Sequence, residues 1–163
     1  MGIQEVERIK DIFSELGLHP VYLEHEPVIT SQDAARVRGI SLKQGIKALL
    51  FTNDSNDWVI ACVPADRKVN QKKVASSLSW QKKSIRMATP EEVLEKTGCE
   101  VGSVPPIGHK EKIKIIVDKD VYDNEESDFN IGLRTHSARI PTIEMKKAFY
   151  HVNASEGDFA RHQ

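Results

Sequence analysis

The chain has 163 residues, 39% apolar and 29% charged, with 23 Lys and Arg against 24 Asp and Glu for a formal charge of −1. This is the composition of a folded domain of one core, large enough to need no disulfide or metal. It argues against a protein that grips long stretches of nucleic acid, DNA included, because that affinity comes from many neutralised phosphates; a local patch touching a short RNA end stays open. No apolar run approaches the roughly 20 residues that span a bilayer. The N-terminal MGIQEVERIK has neither an apolar signal core nor the Ser or Thr of a myristoylation signal. A cytoplasmic protein with no membrane partner is expected.

In chain order, Ile3, Val6, Ile9, Phe13 and Leu16 recur at helical spacing, with Gly17 as a stop. A short strand over 21–23 follows Pro20, and Ser31 reads as the N-cap of a helix through Ala34, Ala35 and Val37 that ends at Gly39. Apolar, β-branched runs at 46–52 and 58–63 flank a polar turn at 53–57, which predicts an antiparallel hairpin in the core. A short helix is expected over 70–78. Another runs over 90–97, with Thr89 as cap, Pro90 in the first turn, Glu91 and Glu92 at the positive end and Gly98 as stop.

Residues 102–108 form a Gly/Pro loop, 113–117 a strand rich in β-branched residues, and 129–131 a short strand before Gly132. Residues 142–150 read as a helix capped by Thr142, with Ile143, Met145 and Phe149 as its apolar contacts. The domain is expected over 1–152, and 153–163 reads as a loosely ordered polar tail. Mixed strands and helices with a hairpin, and no regular βαβ alternation, indicate an α+β fold. No dinucleotide or Walker-type loop and no metal-ligand spacing is present, so no cofactor and no metal are expected. Cys62 and Cys99 form no Cys-x-x-Cys pair, and Cys62 reads as a small buried hydrophobe.

Four places carry chemistry-bearing residues. Lys47 stands in an apolar strand on the same face as Leu49 and Phe51. There it either meets an anion or snorkels to water. In Gly102-Ser103-Val104-Pro105-Pro106-Ile107-Gly108 the prolines stiffen the backbone and remove donors, so the remaining N–H groups suit a developing oxyanion; a rigid connection explains it equally. Asn130-Ile131-Gly132-Leu133-Arg134-Thr135-His136-Ser137 carries a histidine able to bond a substrate or move a proton, or is a polar loop. His25-Glu26-Pro27-Val28-Ile29-Thr30-Ser31 suits a pocket mouth or an ordinary cap and turn. Lys72-Lys73, Lys82-Lys83 and Lys110 with Lys112 suit a basic rim or a solvated face.

The order of these motifs resembles the YbaK / prolyl-tRNA synthetase editing-domain family, the aminoacyl-tRNA deacylases. The matching series is His25-x-Pro27 with Thr30, Lys47 entering its strand, Val63-Pro64-Ala65-Asp66, Thr97-Gly98, the 102–108 loop, a strand ending in Asp118, and Gly132. The resemblance implies a mixed, partly curled β-sheet surrounded by helices. It also implies hydrolysis of the ester between a mischarged amino acid and the acceptor end of tRNA, tRNA for proline among them. Lys47 is implied to position the terminal adenosine and its phosphate. Gly102, Ser103, Val104, Pro105 and Pro106 are implied to hold the ester or the water, with His136 beside them. His25, Thr30, Gly108, Gly132, Thr135 and Ser137 are implied substrate contacts. The family's Gly-rich sequence is altered here to Gly132-Leu133-Arg134-Thr135. Action in trans is expected, with a synthetase or elongation factor nearby. Two alternatives stand beside it: a catalytically inactive module that binds tRNA, a nucleotide or a synthetase, and a thiol enzyme using Cys62 or Cys99.

Overall fold

In a computed structural model the chain is described over residues 2–27, 30, 32, 36 and 41–161. The helix expected between Ser31 and Gly39 lies largely outside these residues. Helix α1, Ile3–Glu15, buries Val6, Ile9 and Phe13 along one stripe and stops before Gly17, whose φ of 72° only glycine adopts without strain. Strands β2 (Ile46–Thr52) and β3 (Trp58–Pro64) form the expected antiparallel hairpin, in register from Ile46 opposite Pro64 to Thr52 opposite Trp58. Its turn is held by the Asn53 side-chain oxygen, which accepts from the Ser55 and Asp57 N–H groups.

Helix α2, Gln71–Ser77, begins where the Asn70 side chain accepts from the Lys73 N–H. After the short strand β4 (Arg86–Met87), helix α3 (Pro90–Thr97) has the expected capping box: Thr89 accepts from Glu92 N–H and the Glu92 carboxylate accepts from Thr89 N–H. Strand β5 (Lys114–Asp118) pairs parallel to β3. Strands β1 (Val21–Glu24), β6 (Glu126–Asn130) and β7 (His136–Pro141) form a separate antiparallel sheet with β7 in the centre. Helix α4 is Thr142–His151 and β8 is Ser155–Gly157.

The larger sheet has the order β4-β2-β3-β5-β8, and a parallel bridge between Gly45 and Asp128 joins it to the smaller one. Alternation along β2 and β3 sends side chains to two cores. Ile46, Leu50, Ile60 and Cys62 pack with α1, α4 and the small sheet, where Phe13 and Phe129 meet at 6.2 Å between ring centroids. Phe51, Val59, Ala61 and Val63 pack under α2 and Phe159. Each fully buried large side chain contributes about 1.5–3 kcal/mol, so these two layers set the strand register. The architecture is α+β with mixed strands. No helix among the described residues is long and apolar enough to cross a membrane.

Three expectations need correction. Within the stretch expected as a loose tail, residues 153–161 are ordered against the domain. β8 pairs parallel to β5, Phe159 and Ala160 are buried, and their N–H groups donate to the buried Asp118 carboxylate at 2.7 and 3.0 Å. Thr142 is not a cap: Pro141 holds that position, the Thr142 hydroxyl bonds Ser127 at 2.9 Å, and Ile143 is exposed. The 130–137 segment is not a loop throughout, because His136 and Ser137 open β7 opposite Glu24 and Leu23.

Candidate active site

The 102–106 loop is anchored from several sides. The Ser103 N–H and hydroxyl both donate to Glu100 O, and Ser103 O accepts from Gly132 N–H at 3.1 Å. Cys62 Sγ lies 3.9 Å from Pro106 O, and His109 Nε2 donates to Pro105 O at 2.6 Å. Ser103, Val104, Pro105 and Pro106 are buried and Gly102 is exposed. Pro105 and Pro106 have no N–H to offer. The Val104 N–H has no acceptor among the described residues.

The Gly132 bond sets this loop against the turn between β6 and β7. That turn is tied by His136 N–H to Leu133 O, Ile131 N–H to His136 O and Asn130 Nδ2 to Leu133 O. A cleft of about 290 Å³ opens where they meet, lined by Pro27, Glu100, Ser103 and residues 132–135. Arg134 closes one wall through Val101 O at 2.7 Å and Glu100 at 3.1 Å.

Two histidines sit at the end of β1 and the start of β7 with their rings fixed. His25 Nδ1 donates to Glu26 O at 2.8 Å, so the neutral ring presents Nε2 as an acceptor to the Ser137 hydroxyl at 3.0 Å. His136 Nε2 faces the Glu24 carboxylate at 3.2 Å and Nδ1 faces the Thr135 hydroxyl at 2.7 Å. Ser137 is wholly buried, so its hydroxyl orients His25 and is not presented as a nucleophile. His25, Ser103, Gly132, Thr135, His136 and Ser137 are therefore brought together. Thr30 is exposed, and its neighbours 28, 29 and 31 lie outside the described residues. Gly108 is turned to α1, where its carbonyl accepts from Arg8 at 3.2 Å.

Lys47 is half-buried on the α2 side of the sheet, the face it shares with Leu49 and Phe51. No hydrogen bond or ion pair joins it to the loop or to β7 among the described residues. Burial pushes its ammonium below the usual lysine range; the Asp66 carboxylate counters this and the Lys68 charge adds to it. Both thiols are inert for lack of thiolate: burial pushes Cys62 far up and Cys99 to about 12.

His109 was not singled out from the sequence. Its signal was its position four residues after Pro105, close enough to reach back to that carbonyl. Burial first, and the Arg8 charge with it, hold it down to about 4 against the pull of the Pro105 bond, so it is neutral near pH 7.

Residues 25–148 match the model of the aminoacyl-tRNA editing domain. The chain belongs to that family. It is 30% identical over 142 residues to the multifunctional Ser/Thr-tRNA deacylase ProXp-y of Escherichia coli strain K12, spanning 85% of this chain and 84% of that protein. It is 31% identical over 139 residues to the proline–tRNA ligase of Thermosipho melanesiensis, a match that takes 84% of this chain but 22% of the ligase. A crystal structure of a candidate trans-editing enzyme for prolyl tRNA synthetase superposes at a TM-score of 0.82, with 24% identity, over 97% of this chain and 98% of the other. That likeness is one of fold, and the fold is the editing-domain fold expected from the motif order.

Proposed function

We propose that this editing domain is a trans-acting aminoacyl-tRNA deacylase that hydrolyses the ester of a mischarged amino acid. The observation that carries the reading is the Gly132–Ser103 bond. It sets a donor-poor, proline-stiffened loop beside a cleft that Ser103 lines, and the next residue, Val104, has an N–H without an acceptor among the described residues that suits a developing oxyanion. An aminoacyl ester is already activated. Holding it, the vicinal ribose hydroxyl and a water in register supplies most of the acceleration, and no protein nucleophile is needed. The burial of Ser137 and the raised thiols agree with that mechanism.

In this reading Lys47 holds a phosphate of the terminal nucleotide as a point charge. His25, whose ring the Ser137 hydroxyl orients, and His136 contact the ester or the water. Thr135 lines the cleft beside them. The name of the Escherichia coli relative supports serine and threonine as amino acids removed, and the proline–tRNA ligase relative supports a prolyl acceptor and a synthetase partner.

The test is deacylation of tRNAs charged with serine, threonine, alanine, cysteine or proline, by the wild type and by Lys47→Ala. The wild type is expected to clear at least one mischarged species and the variant to lose turnover at least a hundred-fold while keeping its fold. Tight tRNA binding without hydrolysis of any species would replace this reading with that of a binding module.

A further inference from the structure

Between residues 67 and 90 the chain carries Arg67, Lys68, Lys72, Lys73, Lys82, Lys83 and Arg86 and not one Asp or Glu. The rest of the molecule therefore holds 16 basic residues against all 24 acidic ones. A protein near neutrality is thus split into one cationic segment and an anionic remainder, a charge division that orients a polyanion as it approaches.

The segment does not scatter its charge. It leaves β3, runs through α2 and ends in β4, on the side of the larger sheet that carries Lys47. A groove of about 700 Å³ lies along it, lined by Lys72, Lys73 and Lys82 together with Asn70, Gln71 and Arg161. Arg161 comes from the far end of the chain. It is held there because its N–H donates to Lys68 O at 2.8 Å and Ala160 bridges Val69. Arg67, Lys73 and Arg86 have ion-pair partners in Asp120, Asp158 and Glu92. Lys68, Lys72, Lys82 and Lys83 are exposed and form no ion pair among the described residues. Lys47 lies on the same face of the sheet, and the charges of Asp66 and then Lys68 act on its ammonium.

We propose that this groove is the seat of the tRNA acceptor stem, whose backbone phosphates run from Lys47 past Lys68 to Lys72, Lys82 and Arg161. The proposal rests on the deacylase reading, which puts the terminal nucleotide at Lys47. From there the RNA backbone must leave along a surface that neutralises successive phosphates, and the acid-free segment provides one. Asn70 and Gln71 add neutral donors and acceptors suited to ribose hydroxyls. An acceptor stem fits better than an acidic protein because the track is continuous with the site that receives the RNA terminus. Lys72 and Lys82, exposed and without an ion pair among the described residues, also suit a phosphate backbone, with Ile85 beside them on the groove wall.

The experiment compares the wild type, Lys72→Glu with Lys82→Glu, and a control carrying Lys10→Glu with Lys147→Glu, two exposed lysines on α1 and α4, the helices of the opposite core. Each is given full-length mischarged tRNA and an aminoacylated CCA trinucleotide, and binding of uncharged tRNA is measured beside them. The groove variant is expected to lose about ten- to a hundred-fold in kcat/KM on tRNA, through KM. It should cleave the trinucleotide at the wild-type rate. Its log affinity for tRNA should fall less steeply with log salt, by about 1.5–2 for two lost phosphate contacts. The control should stay within about two-fold on both substrates. Equal losses on tRNA and trinucleotide, or tRNA binding untouched by the groove substitutions, would overturn the proposal. A wild type that cleaves neither substrate, with tRNA binding still dependent on Lys72 and Lys82, would overturn the deacylase reading and keep the groove.

Discussion

Replacing His109 with Gln separates a buried proton site from the loop it supports. His109 is 8% exposed and donates to Pro105 O, and burial holds its pKa down to about 4 from 6.5. Above pH 6.5 neither the folded nor the unfolded chain protonates this ring, and it adds no pH dependence. As pH falls, the unfolded chain takes up the proton first, so stability declines from about pH 6.5 and levels off below about pH 4. The interval between those values, 6.5 and about 4, corresponds to a loss of about 3 kcal/mol, of which about 2.5 is reached at pH 4.5. Gln keeps a side-chain N–H near the ring Nε2 position and cannot titrate. The assay is urea denaturation of wild type and His109→Gln at pH 7.5 and 4.5. All other titrating groups are common to both, so the wild type should lose about 2–3 kcal/mol more than the variant over that range. Equal losses would refute the assignment of a neutral, buried His109. Deacylation by His109→Gln should stay close to wild type at pH 7.5, while His109→Leu, which leaves Pro105 O without its donor, should lower kcat about ten-fold.

Two further outcomes follow from buried charge. Asp118→Ala strands the buried Phe159 and Ala160 N–H groups, which should cost about 2–4 kcal/mol in chemical denaturation and expose β8 to proteolysis. Unchanged stability would show that the C-terminal segment is held by Phe159 packing alone. The lowered Lys47 pKa means that deacylation, after subtraction of spontaneous ester hydrolysis, should decline on the alkaline side before an ordinary lysine titrates. Lys68→Met removes a charge that lowers this pKa and should move the decline to higher pH, whereas Asp66→Asn should move it to lower pH. Shifts of the opposite sign would remove Lys47 from the reaction.

Local chemistry determined much of this protein by itself. The α1 stripe, the β2–β3 hairpin with its Asn-rich turn, the Thr89 capping box and the glycine stops at Gly17 and Gly98 are all interactions within a few residues. They are written in consecutive side chains and survive in the structure. The order of Lys47, the 102–108 loop and Gly132 was enough to indicate the family, because motif order is preserved without any distance being known.

Tertiary structure alone decided the remainder. β6 begins Glu126-Ser127-Asp128, which reads as exposed. Ser127 and Asp128 are buried because Thr142 and Arg139 partner them. β8 is equally polar and becomes a strand only because β5 offers an edge and Asp118 receives the N–H groups beyond it. His25 and Ser137 stand 112 residues apart in sequence, and their contact requires β1 to pair with β7. His109 is neutral because the fold, not its neighbours in sequence, removes it from water. Short-range hydrogen bonds and periodicity are properties of the chain itself. Burial, long-range pairing and the pKa values they set exist only after distant segments have met.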